Sequence, residues 1–193
     1  MKIADLSWLL LMKDEEGPIT PLCRRMAAAV GEIIVVDTGS TDRSIEIARG
    51  FTSKVFSFEL AWDFSAARNF GLEHATKDWI LQIDADEWPS TFLLSWIHLW
   101  EPPVLCGGVW IRRYNLVGGQ PIGKNTFEWH PRLFRRGHRF EGRIHERPII
   151  APDSMITAPE ECLLLHHKSL ERQEKQNAFY QNWEEQRALI SHT

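Results

Sequence analysis

Four short apolar runs, at residues 6–12, 32–37, 54–58 and 79–83, alternate with segments of helical spacing, and this alternation narrows the fold more than any other feature. Runs so short and so uniformly apolar read as strands covered on both faces, the pattern of a parallel sheet in an α/β fold. The segments between them predict helices over Pro21–Val30, over Thr41–Phe51 behind a Ser or Thr cap, and over Phe64–Ala75 with Asp63 as cap. A further helix over Thr91–Leu99 brings Trp96 and Trp100 onto one face.

Beyond about residue 105 the texture changes. Residues 107–150 hold seven glycines with β-favouring stretches between them, which predicts antiparallel strands and long loops. Helical spacing returns over 170–190, with Leu170, Phe179, Trp183 and Leu189 among charges. No linker forces a break, so 193 residues that are 44% hydrophobic are expected to form one domain, residues 1–193. A formal charge of -4 argues against a general nucleic-acid binder. Cys23, Cys106 and Cys162 lie far apart with no C-x-x-C spacing, which fits a reducing, cytoplasmic setting. The run at 6–12 is too short to span a bilayer, and Lys13, Asp14, Glu15 and Glu16 follow it instead of a small-residue cleavage site, so it reads as a buried strand.

Chemistry concentrates at strand ends. In W-I-L-Q-I-D-A-D-E-W, residues 79–88, an apolar strand runs into Asp84, Asp86 and Glu87. If the chain stays extended, Asp84 and Asp86 share a side and their oxygens could hold a hard divalent cation, Mn²⁺ or Mg²⁺; a solvated strand end with a capping Asp is the alternative. In E-I-I-V-V-D-T-G-S-T-D, residues 32–42, another strand ends in Asp37 before a small-residue turn. Ligands of open α/β sheets bind outside the carboxyl ends of the strands, where Asp37 and the Asp84/Asp86 pair both lie. Asp37 can equally be an Asx turn, and Asp42 a carboxylate favoured at a helix N-terminus. The single Gly39 gives neither a dinucleotide fingerprint nor a P-loop.

V-V-D-T-G-S-T-D, D-F-S-A-A-R-N-F-G-L-E-H-A-T at 63–76 and D-W-I-L-Q-I-D-A-D-E at 78–87 together resemble family 2 glycosyltransferases of the GT-A fold, in order and spacing over about residues 6–90. Within that family the chain is most similar to the branch of lipopolysaccharide-core glucosyltransferases and peptide glycosyltransferases. That branch also carries M-x-K-[ND]-E-E, here Met12–Glu16, usually with Asn where this chain has Asp14. The resemblance implies a mostly parallel central sheet flanked by helices. It divides the chain into a nucleotide-sugar half, about 1–105, and a smaller, loop-rich acceptor half, about 106–193. Asp37 would contact the base or ribose, Arg68 would lie near the sugar or diphosphate, and Asp84 and Asp86 would hold the metal. A late histidine, His166 or His167, would add a ligand; alternation lets only one of the two rings face the site.

The stretch Trp129–Arg147 carries Arg132, Arg135, Arg136, Arg139, Arg143 and Arg147. Guanidinium groups match phosphate oxygens, so a phosphorylated donor, a lipid-linked or phosphosugar acceptor, or an anionic membrane surface is a fitting partner; a solvated hairpin face is the plain alternative. Arg143 is the donor-side candidate among them. In the resembling branch R-L-F-R and I-H-E recur after the metal motif, which singles out His145 and Glu146. Glu146 is the first candidate for general base, with Glu87 and Glu141 behind it, although it could as well pair with Arg143 or Arg147. Of the nine tryptophans most are expected in the core, with Trp88 as a wall of the site.

These readings converge on a metal-dependent transferase, and the resemblance implies that it inverts the anomeric centre. It would move a sugar from a nucleotide-diphosphate donor, a UDP-sugar first among them, to a hydroxyl of a glycan, lipid-linked or peptide acceptor, in the cytoplasm or at the inner face of the membrane. A nucleotide-sugar-binding pseudoenzyme would keep the same carboxylates. A sugar nucleotidyltransferase would need a Gly-rich, Lys-bearing N-terminal loop, and residues 12–18 offer only Lys13 and Gly17.

Overall fold

The computed structural model of the chain describes residues 5–175, 177 and 178. Strands β1 (Leu6–Met12), β2 (Glu32–Asp37), β3 (Val55–Ser57) and β4 (Trp79–Gln82) match the four apolar runs within a residue or two. They lie parallel in the order β3-β2-β1-β4, with Trp8 opposite Ile33 and Leu81. Alternation sorts β1 between two cores: Leu6, Trp8, Leu10 and Met12 face one and Leu9 the other, so the run must be apolar throughout. Each aliphatic side chain buried there contributes about 1.5–3 kcal/mol.

The helices cover both faces. α1 (Glu16–Ala27), α2 (Ser44–Arg49) and α4 (Thr91–Leu99) pack on the first core, and α3 (Phe64–Glu73) on the second. Asp63 caps α3 as expected, accepting from the Ala66 N–H at 2.9 Å, and Ser90 caps α4. Trp96 and Trp100 stack with ring centroids 5.0 Å apart. Gly71 of α3 touches the sheet: a Cβ there would stand 2.5 Å from Leu9 Cδ1 and 2.8 Å from Val36 Cγ2, so only glycine lets the helix sit so close.

Two helix boundaries differ from expectation. α1 begins at Glu16 rather than Pro21, because side chains from the next loop satisfy its first donors: Ser44 Oγ accepts from the Glu15 N–H at 2.7 Å and Asp42 Oδ2 from the Glu16 N–H at 3.0 Å. α2 begins at Ser44 and not at Thr41, since Thr41 is held by Asp14 Oδ1, which accepts from its N–H at 2.7 Å.

The second half extends the same sheet. β5 (Glu87–Pro89), β6 (Gly108–Val117), β7 (Gln120–Pro121), β8 (Phe127–Arg135), β9 (Phe140–Glu141), β10 (Arg147–Pro148), β11 (Met155–Thr157) and β12 (Leu163–Lys168) follow in the chain. The sheet continues β4-β8-β6-β12-β5, with β7 and β11 also paired to β6; β9 and β10 form a separate ribbon. β8 runs antiparallel to both β4 and β6, as the glycine-punctuated texture predicts. Residues 170–175 are helical, while Phe179, Trp183 and Leu189 lie outside the described residues. The three cysteines are buried free thiols. Among the described residues no helix is long and apolar enough to cross a membrane.

Candidate functional site

A cavity of about 750 Å³ opens at the carboxyl ends of β1 and β4, floored by Met12, Thr38, Asp84 and Asp86. Its far wall comes from β6, β8 and β12 through Arg113, Asn115, Glu128, His130, Arg132 and His166. Arg68 reaches it from α3, and His145 and Glu146 from the loop after β9.

Asp84 is the most tightly held group. Arg68 donates Nη1–H and Nη2–H to its two oxygens at 3.1 and 3.3 Å, Gln82 Nε2–H donates at 2.9 Å, and Arg132 adds Nη2–H at 3.4 Å. Burial opposes ionisation of Asp84, but the Arg68 and Arg132 charges outweigh it and hold the carboxyl well below the usual range. Arg68 also donates Nε–H to Glu146 Oε1 at 2.6 Å. With its side chain 6% exposed, it joins strand-end and loop carboxylates that lie 62 residues apart in the chain (146 − 84).

Asp86 takes different partners. The chain turns at Ala85–Asp86, and the Glu87 N–H donates to Asp84 O at 3.0 Å, so the extended geometry expected for Asp84 and Asp86 does not hold. Both nevertheless line the cavity: Asp86 Oδ2 lies 3.3 Å from His166 Nε2 and 3.7 Å from Arg172 Nε. Burial again works against the charge, but the hydrogen bond with His166 and the nearby Arg172 charge together outweigh it, so the Asp86 carboxyl sits below its ordinary range. As alternation requires, His166 faces the cavity while His167 is exposed on the other side.

Asp37 is 2% exposed and spends its oxygens on its own loop, accepting from the N–H groups of Gly39 at 3.0 Å and Ser40 at 3.1 Å and from the Ser40 hydroxyl. Gly39 sits at φ 103°, a conformation the turn needs. Thr38, next to it, presents the cavity surface. Asp14 sits at φ 54°, a left-handed position that Asp and Asn tolerate, and its carboxylate holds Thr41.

Other candidates lie elsewhere. Glu87 is 1% exposed; it accepts from Arg132, from Arg113 at 3.4 Å and from the Asp84 N–H at 3.1 Å, so it braces the floor from behind. Trp88 lines a second hollow of about 450 Å³ with Pro18, Pro21 and His167, under the Arg25 guanidinium. Arg143 is exposed; it donates to Ala61 O at 2.9 Å and lies 3.9 Å from Asp63. The six arginines therefore do not share one face. Arg132 is buried in the cavity wall, Arg135 lies over the Trp79 ring, and Arg139 and Arg147 pair with Glu73 and Glu141. Exposed Trp110 and Trp129 sit at β6 and β8 positions that alternate with the cavity-lining ones.

Sequence reasoning missed Arg113, Asn115, Glu128 and His130. The alternation of charged with aromatic residues in R-R-Y-N and F-E-W-H-P-R was the available signal, since one face of each strand is polar. Burial and the charges of Arg132 and Arg113 push His130 down to about 3, so its ring is neutral.

A parallel β3-β2-β1-β4 sheet extended by antiparallel β8, with a polar cavity at the carboxyl ends of the parallel strands, defines a GT-A-like α/β transferase fold. Residues 13–156 match the model of Glycosyl transferase family 2, and the chain belongs to that family. It is 33% identical over 165 residues to a TPR repeat-containing protein of Synechococcus elongatus, covering 82% of this chain and 38% of that protein. It is 25% identical over 175 residues to the lipopolysaccharide core biosynthesis glycosyltransferase LpsC of Rhizobium meliloti, covering 86% and 64%. The chain thus spans less than two thirds of either relative. Among solved structures, S. aureus TarS 1–349 in complex with UDP-GlcNAc superimposes with a TM-score of 0.62 at 17% identity, over 87% of this chain and 59% of that one.

Proposed function

We propose that the chain transfers a sugar from a nucleotide-diphosphate donor, first of all a UDP-sugar, to an acceptor hydroxyl, inverting the anomeric centre. The observation that carries this reading is the convergence of Asp84, Asp86, Arg68, Arg132 and Glu146 on one cavity at the carboxyl ends of the parallel strands. Arg113 and Arg132 each keep a buried Nε–H without a partner among the described residues, so the wall has unmet capacity for anionic oxygens such as those of a diphosphate. TarS, of like fold, is described with UDP-GlcNAc, and LpsC by name serves lipopolysaccharide core synthesis, which favours a glycan or lipid-linked acceptor over a peptide.

The donor set fits a divalent cation. Asp86 Oδ2 and His166 Nε2 approach within 3.3 Å, and carboxylate oxygen with imidazole nitrogen suits Mn²⁺ or Mg²⁺. Among the described residues no three such donors form a ready group, and the Asp84 oxygens are engaged by guanidinium groups. Asp86 and His166 are therefore the residues that would hold it, with Asp84 beside them engaged by Arg68 and Arg132. The cation, when bound, supplies countercharge to the departing diphosphate. Arg68 and Arg132 orient the same oxygens. Glu146, held at Oε1 by Arg68, keeps Oε2 to take the proton of the acceptor hydroxyl. Thr38 and the Asp37-pinned turn shape the nucleoside end, and Glu87 acts as a positioning residue behind Asp84.

Thermal shifts with UDP, with and without Mn²⁺, test this reading, because a ligand of the native state raises apparent stability by mass action. Wild-type protein is expected to show a UDP shift that grows with Mn²⁺, and Asp86→Ala to lose the Mn²⁺ increment while remaining folded. An undiminished increment in the variant would sink the metal assignment.

A further inference from the structure

We propose that Asn115, itself pinned by Glu128, holds a hydrogen on His166 Nδ1 and so keeps Nε2 as the ring nitrogen turned to the cation site beside Asp86. The inference rests on the proposed metal reading only for its consequence; the proton's place follows from hydrogen-bond roles alone.

Glu128 is ionised: burial resists the charge, but the bonds from Arg113 and Asn115 outweigh it and keep the carboxyl below its ordinary range. An ionised carboxylate only accepts, so the Asn115 atom 2.8 Å from Glu128 Oε2 must be the amide nitrogen, Nδ2. Arg113 donates to that same oxygen at 2.7 Å and locks the anchor. The amide has then no freedom to flip, and its carbonyl, Oδ1, lies 2.8 Å from His166 Nδ1. A carbonyl oxygen cannot donate, so Nδ1 carries the hydrogen. Nε2, on the opposite edge of the ring, is then the nitrogen that lies 3.3 Å from Asp86 Oδ2.

A carboxylate oxygen and an imidazole nitrogen at that distance share either a proton or a cation. Without Asn115 the ring could move its hydrogen to Nε2 and donate it to Asp86, closing the pair against a metal. The device is built into strands, not loops: parallel β6–β12 pairing sets His166 directly opposite Asn115. Residues that orient a metal-binding histidine this way are worth about 10–100-fold in metal affinity. Asn115 and Glu128 are therefore positioning residues, outside the carboxylate motif that marks the site in the sequence.

The test reads the ring directly, in the metal-free full chain. Histidine is labelled with ¹⁵N, and long-range ¹H–¹⁵N correlations are recorded at about pH 8, above the ordinary imidazole pKa of about 6.5, with His166 assigned from a His166→Gln variant. The wild type should show a hydrogen on His166 Nδ1, and Asn115→Leu should move it toward Nε2. Mn²⁺ titration in the presence of UDP, followed by electron paramagnetic resonance, should show the same variant binding 10–100-fold more weakly. A wild-type His166 ring with no hydrogen on Nδ1 overturns the proposal, as does a wild-type ring pattern in Asn115→Leu. The expected tautomers with no Mn²⁺ binding by the wild type would uphold the relay and remove the cation reading instead.

Discussion

The two walls of the cavity hold their polar groups by opposite means. On the side of β1 and β2, the loops at residues 13–16 and 38–44 clasp each other through neutral or backbone partners. Asp14 accepts from Thr41, Ser40 Oγ accepts from the Asp14 N–H at 2.9 Å, Ser44 Oγ accepts from the Glu15 N–H, and Asp37 accepts from its own turn. Of the charges there, Arg43 pairs with Glu46 at the surface, and buried Glu15 takes Arg172. On the side of β4, β6 and β8, by contrast, the mostly buried Arg68, Arg113 and Arg132 meet Asp84, Glu87 and Glu128, of which Glu87 is fully buried and the other two partly exposed. The first wall is fixed mainly by satisfying backbone donors with nearby carboxylate and hydroxyl oxygens. The second is a buried ionic lattice, in which each member is stable only because its partners are present.

Removing one member of the lattice should therefore cost far more than removing a surface pair. Arg68→Met is expected to destabilise the chain by about 3–5 kcal/mol in urea denaturation, because it strands Asp84 and Glu146 as buried charges. Arg43→Met should leave the urea midpoint unchanged. Adding Asp84→Asn to Arg68→Met should restore part of the loss. Equal effects of the Arg68 and Arg43 changes would erase the contrast.

Gly71→Ala probes the packing beneath both walls. The added methyl meets Leu9 and Val36 at 2.5 and 2.8 Å, and overpacking of this kind costs about 1–3 kcal/mol, more than the roughly 1 kcal/mol of helix propensity that alanine gains. A more stable variant would show that α3 can lift from the sheet without penalty.

Acid separates the regions by order. His130, on the ionic wall, has its folded pKa pushed from 6.5 down to about 3 by burial, Arg132 and Arg113. The unfolded chain takes up that proton first, so stability present above pH 6.5 is lost progressively as pH falls toward about 3. Glu32, at the start of β2, is the contrasting case: burial raises its pKa, but bonds from Lys54, Ser7 and Thr76 win and lower it from 4.5 to about 2. Its contribution is intact above 4.5 and is lost between 4.5 and about 2. Hydrogen exchange over a pH series should show β8 amides losing protection before those of β1 and β2, with His130→Gln reducing the early loss. Simultaneous loss in the wild type would mean the two regions open as one unit.

Much of the scaffold was legible because its signals are local. The apolar runs gave β1 to β4 nearly to the residue; Asp63 was readable as a cap, and Asp84 and Asp86 as the cavity end of β4. The start of α1 was not legible, because the groups that satisfy its first N–H donors come from Asp42 and Ser44, in the next loop. Nor were the fates of the six arginines, since a run of like residues says nothing about which strand face each occupies or whether a carboxylate waits there.

By itself, then, the sequence determined the α/β alternation, the parallel core and the carboxylates that terminate β4, all of which follow from hydrophobic period and near-neighbour capping. The choice between His166 and His167, the recruitment of Asn115, Glu128 and His130, and the parting of Asp84 from Asp86 were decided by the tertiary structure. Strand side chains alternate with a period of two, so a shift of one residue in the pairing of β12 with β6 would turn His166 away and bring His167 in. That register is set by packing between segments about fifty residues apart, and no local pattern encodes it.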